Sequence, residues 1–176
     1  AEGSIGRAIA VLMDRTLELF EKNDQLKITH VDDAAFYSVP ESARFELSYY
    51  RNNIVHHFVP EALLGAAIAR FQTDEIALDE LMAETLFLSR LFKNEWIYEE
   101  RAEFENVFFR TLDYFQESGW VERHWDDRGE RVKIAPGPPL ELEFFRRLVL
   151  TFLEAYAIVA SLVSGLEKPI GQSEIV

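Results

Sequence analysis

FENVFFRTLDYFQESGWVERHWDDRGERVKI, residues 104–134, changes from a helical spacing to short strand-like runs within one stretch, and that change decides the fold. Phe104, Val107, Phe108, Thr111, Leu112 and Phe115 recur at intervals of three and four, which puts them on one face of a helix. Gly119 stands where a glycine releases a helix C-terminus. Beyond it, Trp120 to Trp125 and Arg131 to Ile134 read as strands, with Asp126, Asp127, Arg128 and Gly129 as the turn between them. Helix, glycine, strand, charged turn and strand together mimic a recognition helix and wing.

Downstream, Pro136, Pro138 and Pro139 form a stiff connector into a closing helix. Its spacing turns Phe145, Leu148, Phe152, Tyr156, Val159 and Leu162 or Val163 inward. From Leu148 to Leu166 the only formal charge is Glu154. That mid-segment carboxylate, the polar Thr151, Ser161 and Ser164, and the basic approach at Arg146 and Arg147 suit a buried helix of a soluble bundle better than a transmembrane span.

Upstream, the pattern is helical almost throughout. Ile5, Ile9, Leu12, Thr16 and Leu19 or Phe20 define a first amphipathic helix, which Asn23 and Asp24 stop. Leu26 to Val31 is extended or a loop, and Asp32 to Ser42 connects to a helix opening near Pro40 or Glu41, with Leu47, Tyr50, Ile54 and Phe58 along one side. Pro60 ends or kinks that helix. A further helix over 61–71 carries Leu63, Leu64, Ala67, Ile68 and Phe71, with Gly65 as a close-approach position. Thr73 and Asp74 then signal the N-cap of a helix bearing Leu78, Leu81, Met82, Thr85, Leu88 and Leu91. The expectation is a mostly α chain: a helical bundle over 5–118, one small β-hairpin over 120–134 in a winged-helix-like segment, and a closing helix over 140–166, all in a single domain of 176 residues. Ala1 to Ser4 and Gly171 to Val176 lack periodicity, and no segment reads as a signal peptide.

Charge narrows the partners. With 31 acidic against 18 basic side chains, the formal net charge of -13 repels a phosphate backbone at long range, so nucleic acid is not an expected partner. The candidate recognition helix repeats the imbalance, with Glu103, Glu105, Asp113 and Glu117 against Arg101 and Arg110. The absence of cysteine removes disulfides, thiolate nucleophiles and Cys-ligated metals.

Deprotonation of a hydroxyl calls for a general base with an orienting partner. Of the four histidines, only His56 has a carboxylate five positions on, at Glu61, and Pro60 between them breaks the helical register that would align the pair. The neighbouring His56 and His57 do not share a helix face, and Asp32-Asp33, Glu99-Glu100 and Asp126-Asp127 read as solvated ends and turns rather than metal cages. No glycine-rich nucleotide loop precedes a helix, so neither cofactor nor metal is expected. One cluster stands out: Ser48, Tyr49, Tyr50, Arg51, Asn52 and Asn53 crowd hydrogen-bonding groups into less than two helical turns. Either Arg51, aided by Asn52 or Asn53, meets a carboxylate or phosphate, or Arg51 pairs with an acidic neighbour while the asparagines tie down adjoining loops.

The string from Leu47 through Ser48-Tyr49-Tyr50-Arg51-Asn52-Asn53-Ile54-Val55-His56 to Phe58-Val59-Pro60 resembles a signature lying downstream of the catalytic domain in membrane-associated glycerol-3-phosphate acyltransferases. The stretches Leu88 to Glu100 and Leu112 to Val121, and the closing Phe152-Leu153-Glu154-Ala155-Tyr156 with Ile158-Val159, are similar in order and spacing to the same C-terminal region. The resemblance implies a C-terminal accessory domain of an enzyme that acylates glycerol 3-phosphate from acyl-CoA or acyl-carrier protein, at the start of phospholipid synthesis. It implies the upstream catalytic domain of the same polypeptide as partner, and a parent enzyme peripheral or integral at the cytoplasmic side of a membrane. The family's motif of histidine, four residues and aspartate is not found here, so no catalytic residue carries over and the piece is expected to be inactive alone. Dihydroxyacetone-phosphate acyltransferases share the general layout; the Tyr-Tyr-Arg-Asn-Asn string favours the glycerol-phosphate branch. A stand-alone helical interaction or regulatory module is the alternative.

Overall fold

The computed structural model describes residues 2–32, 34–96, 103–137 and 140–165, and the chain divides into two compact units, Ala1–Ile54 and Val55–Val176. Expectations resting on Asp33, Glu99, Glu100, Arg101, Pro138, Pro139 and the last residues lie outside the described positions.

The first unit holds helix α1 (Glu2–Lys22), strands β1 (Lys27–Val31) and β2 (Ala34–Ser38), and helix α2 (Glu41–Val55), whose last residue belongs to the second unit. α1 begins earlier than its periodicity suggests, at Glu2. β1 and β2 pair antiparallel from Lys27 with Ser38 to Val31 with Ala34. This corrects the reading of residues 32–42 as a plain connection. Asp32 makes the turn at φ 51°, a left-handed conformation that a short polar side chain tolerates. Both strands are largely exposed, so their sequence shows no apolar alternation to read. On α2, Tyr50 and Ile54, which their spacing puts along one side of the helix, are each 53% exposed.

In the second unit a 3-10 turn (His56–Phe58) follows α2 and leads into α3 (Val59–Phe71), with Pro60 in its first turn, where a missing N–H costs nothing. Then come β3 (Glu75–Ala77), α4 (Leu78–Leu91), α5 (Phe104–Glu117), β4 (Val121–Asp126), β5 (Gly129–Ile134) and α6 (Leu140–Ser164). The sheet order is β3-β5-β4, antiparallel throughout. Helix, strand, two helices and two strands with the first strand beside the last is the winged-helix arrangement. The chain is mostly α, as its periodicity predicts, but carries two small sheets instead of one hairpin. β3 was missed because three residues cannot display a period: Ile76, 1% exposed, pairs with Val132, 56 positions away. The strand also moves the start of α4, whose N-cap is Ala77 and not Thr73 or Asp74.

The end of α5 shows how the hairpin is launched. Gly119 at φ 74° donates its N–H to Gln116 O, and Trp120 donates to Phe115 O, each at 2.9 Å, the paired bonds of a Schellman cap. The Trp120 ring lies 5.2 Å from that of Phe115, supplying the apolar contact that accompanies such a cap. Arg123 on β4 ties the hairpin back to α5 through Asp113 at 2.9 Å, bonds Glu130 of β5 at 2.7 Å, and lies 5.6 Å from the Phe109 ring centroid.

The core gathers where α3 is surrounded. Ala62, Leu64 and Ala67 are at most 1% exposed, as are Leu81, Phe92, Leu112, Phe115 and Val132 from neighbouring elements. α3 and α6 approach closely at Gly65: a Cβ there would lie 3.4 Å from Leu142 O and 3.5 Å from Phe145 Cβ. A second aromatic group joins Phe92, Trp96, Phe152 and Tyr156, and the Tyr156 hydroxyl donates to Glu95 at 2.6 Å, which raises its pKa. α6 is the largest correction. Leu142, Phe145 and Val149 are buried, but Val159, Leu162 and Val163, expected inward, are 53–68% exposed. By length and composition alone, α6, whose most apolar window has a mean hydropathy of 1.6, is the one described helix able to cross a bilayer.

Candidate functional site

The polar cluster singled out in the sequence lies on α2. Ser48 is half-buried and donates its hydroxyl to Phe45 O at 2.7 Å, bonding back along its own helix. Tyr49 and Tyr50 meet edge to face, with centroids 5.9 Å apart. Ser48, Tyr50 and Asn52 line one shallow groove with Phe45, Glu46 and Tyr49; Arg51 and Asn53 do not. Arg51 is exposed and donates from Nε and Nη2 to Asn52 Oδ1, at 3.4 and 3.3 Å. Among the described residues it pairs with no carboxylate, so the acidic neighbour of the structural reading is not found. Its guanidinium is therefore held by a single amide oxygen, that of the neighbouring Asn52.

The histidines are arranged as Pro60 dictates. His56 starts the 3-10 turn and Glu61 lies in the first turn of α3; His56 Nδ1 and Glu61 Oε2 are both buried without a hydrogen-bond partner, so these atoms do not serve each other. A histidine–carboxylate contact does form elsewhere, between His124 of β4 and Glu75 of β3 at 3.4 Å. Sequence spacing had no means of finding it, since sheet pairing brings the two together. Glu75 also accepts from Arg131 at 3.2 Å, so this carboxylate is shared across the sheet. Asp126, read from sequence as a turn residue, accepts the Arg128 amide at 2.7 Å. No group of three His, Asp or Glu that could hold a metal occurs among the described residues.

The best-formed cavity lies between α3, α4 and α5 and measures about 380 Å³, within the usual size of small-molecule sites. Val59, Leu63, Leu64, Val107 and Phe108 make its apolar wall. His56, His57, Ser89 and Arg110 provide polar groups, and the hydroxyls of Thr85 and Thr111 donate back to Leu81 O and Val107 O at 2.8 Å. From sequence, Leu63, Leu64, Thr85, Val107, Phe108 and Thr111 read as ordinary helix faces, a reading that does not reveal the cavity. The available signal was a histidine beside Pro60, opposite helices that turn threonines inward. On α5, Glu105, Asp113 and Glu117 are all exposed, which sets carboxylates where a recognition helix would meet phosphates.

Residues 3–176 match the family described as the C-terminal region of glycerol-3-phosphate acyltransferase. The chain belongs to that family. Among curated proteins it is similar to the glycerol-3-phosphate acyltransferase of Colwellia psychrerythraea, with 30% identity over 94 residues, 52% of this chain and 11% of that protein. It is also similar to the enzymes of the same name from Shewanella loihica, 25% identical over 78% of this chain and 16% of the relative, and Shewanella amazonensis, 25% identical over 90% and 18%. The chain thus spans 11–18% of the length of these relatives. Membership in this C-terminal region agrees with the resemblance carried by residues 47–60.

Proposed function

We propose that this chain is a non-catalytic part of a glycerol-3-phosphate acyltransferase, acting by docking against the catalytic domain elsewhere in the same polypeptide. The observation that carries the reading is the match of residues 3–176 to the C-terminal region of that family, beside relatives of which the chain spans at most 18%. The docking role draws on the apolar side chains left uncovered on α6, among them Ile158 at 62% and Leu162 at 68% exposure. Arg51, with Ser48, Tyr50, Asn52 and Asn53 around it, is the proposed anion or partner contact. The acyl donor, acyl-CoA or acyl-carrier protein, engages the parent enzyme at the cytoplasmic side of a membrane, and this piece supports that chemistry from outside the reacting centre.

The purified chain, given glycerol 3-phosphate and an acyl thioester, is expected to release no thiol above background and to form a complex with separately purified catalytic domain. Turnover by the chain alone, lost on replacing one of its histidines, would overturn the reading. Arg51→Ala in the full-length enzyme is expected to lower activity or assembly without disturbing the fold of this region; unchanged kinetics and association remove Arg51 from the site. A second reading, a winged-helix protein-interaction module, is favoured by Trp125, 76% exposed on β4 next to the hairpin turn. Loss of complex on Trp125→Ala, with Arg51→Ala harmless, would select it.

A further inference from the structure

The cavity between α3, α4 and α5 has a chemistry that the docking role does not use. Its wall is aliphatic and aromatic, while His56 brings to its lining an imidazole whose Nδ1 is buried with no partner. A buried ring nitrogen left unpaired is costly, and a ligand group that bonds it recovers that cost. Arg110 and His57 line the same space, and no Asp or Glu does, in a chain whose net charge is -13. An anion repelled by the chain as a whole meets there only neutral or basic groups.

We propose that this cavity binds a small amphipathic monoanion of the medium-chain carboxylate class, its tail along Leu63, Leu64 and Phe108 and its carboxylate accepting from His56 Nδ1–H. The space of about 380 Å³ holds roughly a dozen water-sized groups at ~30 Å³ each, which matches a chain of roughly eight to ten carbons with its head group. The hydroxyls of Thr85 and Thr111 already donate to their own helices, so toward a ligand they act as acceptors and do not compete with His56 as donor. Tail burial supplies affinity and the imidazole supplies orientation, the usual division of labour in an apolar pocket with few polar groups. The inference does not rest on the docking reading, because it concerns binding by this chain alone.

The test is titration of the isotope-labelled chain with octanoate, octanol and octyltrimethylammonium, followed by NMR shifts of the methyl groups of Leu63, Leu64 and Val107 and of the His56 ring. Octanoate is expected to shift them saturably, and the ammonium to bind at least about tenfold more weakly. His56→Leu is expected to weaken octanoate by about tenfold while leaving octanol unchanged, as loss of one charge-assisted bond requires. Val107→Trp, which fills the space, is expected to abolish binding of both. Absence of saturable shifts in the unmodified chain overturns the proposal whether or not the variants fold. So do equal affinities for the anion and the cation, or indifference of octanoate to His56→Leu. Because no acyl transfer is measured, these results stand whatever the activity assays give.

Discussion

Gly65 is where the packing of the second unit is most exposed to a single substitution. An alanine Cβ there would lie 3.4 Å from Leu142 O, 3.5 Å from Arg146 N and 3.5 Å from Phe145 Cβ, which is ordinary van der Waals contact. Alanine also holds a helix better than glycine by about 1 kcal/mol, so Gly65→Ala is expected to be neutral or to stabilise by up to about that amount. Valine differs in kind: its methyl groups reach ~1.5 Å beyond Cβ, toward the α6 backbone and the Phe145 side chain that Cβ already touches. Overpacking of this sort costs about 1–3 kcal/mol, and β-branching adds a few tenths. The two variants should therefore differ by roughly 2–4 kcal/mol, equivalent to about 6–12 °C in midpoint for a chain of this size. Thermal and urea unfolding of the purified chain measure this directly. If Gly65→Val unfolds together with Gly65→Ala, the close approach of α3 and α6 is wrong.

Three further outcomes test the same unit. Gly119→Ala meets no atom within 4 Å, so its cost is the backbone strain of φ 74° alone, about 1–2 kcal/mol by urea denaturation; a neutral result would deny the left-handed cap. Phe115→Ala removes a fully buried ring between Trp120 and Phe145 and is expected to cost about 3–5 kcal/mol, with the Trp120 fluorescence shifting as the ring loses its neighbour. Hydrogen bonds from Arg146 and then Arg147 lower the Glu143 pKa from 4.5 to about 2. A depressed carboxylate stabilises the fold above its unfolded pKa and loses that contribution as pH falls toward the folded value, so Glu143→Gln should flatten the acid dependence of stability between about pH 4.5 and about pH 2. A carboxyl NMR titration placing Glu143 near its ordinary range would refute the pairing.

Legibility followed the range of the interactions. The helix from Phe104 to Glu117, its glycine stop and the hairpin were readable because each is specified by neighbours within four residues: apolar spacing, a left-handed glycine, a charged turn. β3 was not readable, since its ladder partner is 56 positions downstream, and neither was the His124–Glu75 contact that the ladder creates. The β1–β2 pair escaped for another reason. With both faces largely open to solvent, nothing required its residues to alternate. Of the α2 cluster, sequence identified the density of polar groups but not their division, which leaves Ser48, Tyr50 and Asn52 on a groove and Arg51 bonded to Asn52 beside it. The cavity at His56 was hidden because a cavity belongs to three helices at once, and each alone presents only an ordinary apolar face.

α6 carries the remaining lesson. A period of 3.6 reports which residues share a face, and it did so correctly from Phe145 through Tyr156, where burial declines but neighbours persist. The same period continues through Val159, Leu162 and Val163, where the side chains are more than half exposed. Apolar spacing is a statement about preference for a dry surface, and a core, a partner and a lipid layer satisfy it equally. On the proposed reading the uncovered turns of α6 are the part of the pattern written for the rest of the enzyme. The buried turns pack against Gly65 and Phe115. If the docking proposal holds, α6 is core at one end and interface at the other, and its anchoring against Gly65 and Phe115 keeps the exposed end presented in one orientation.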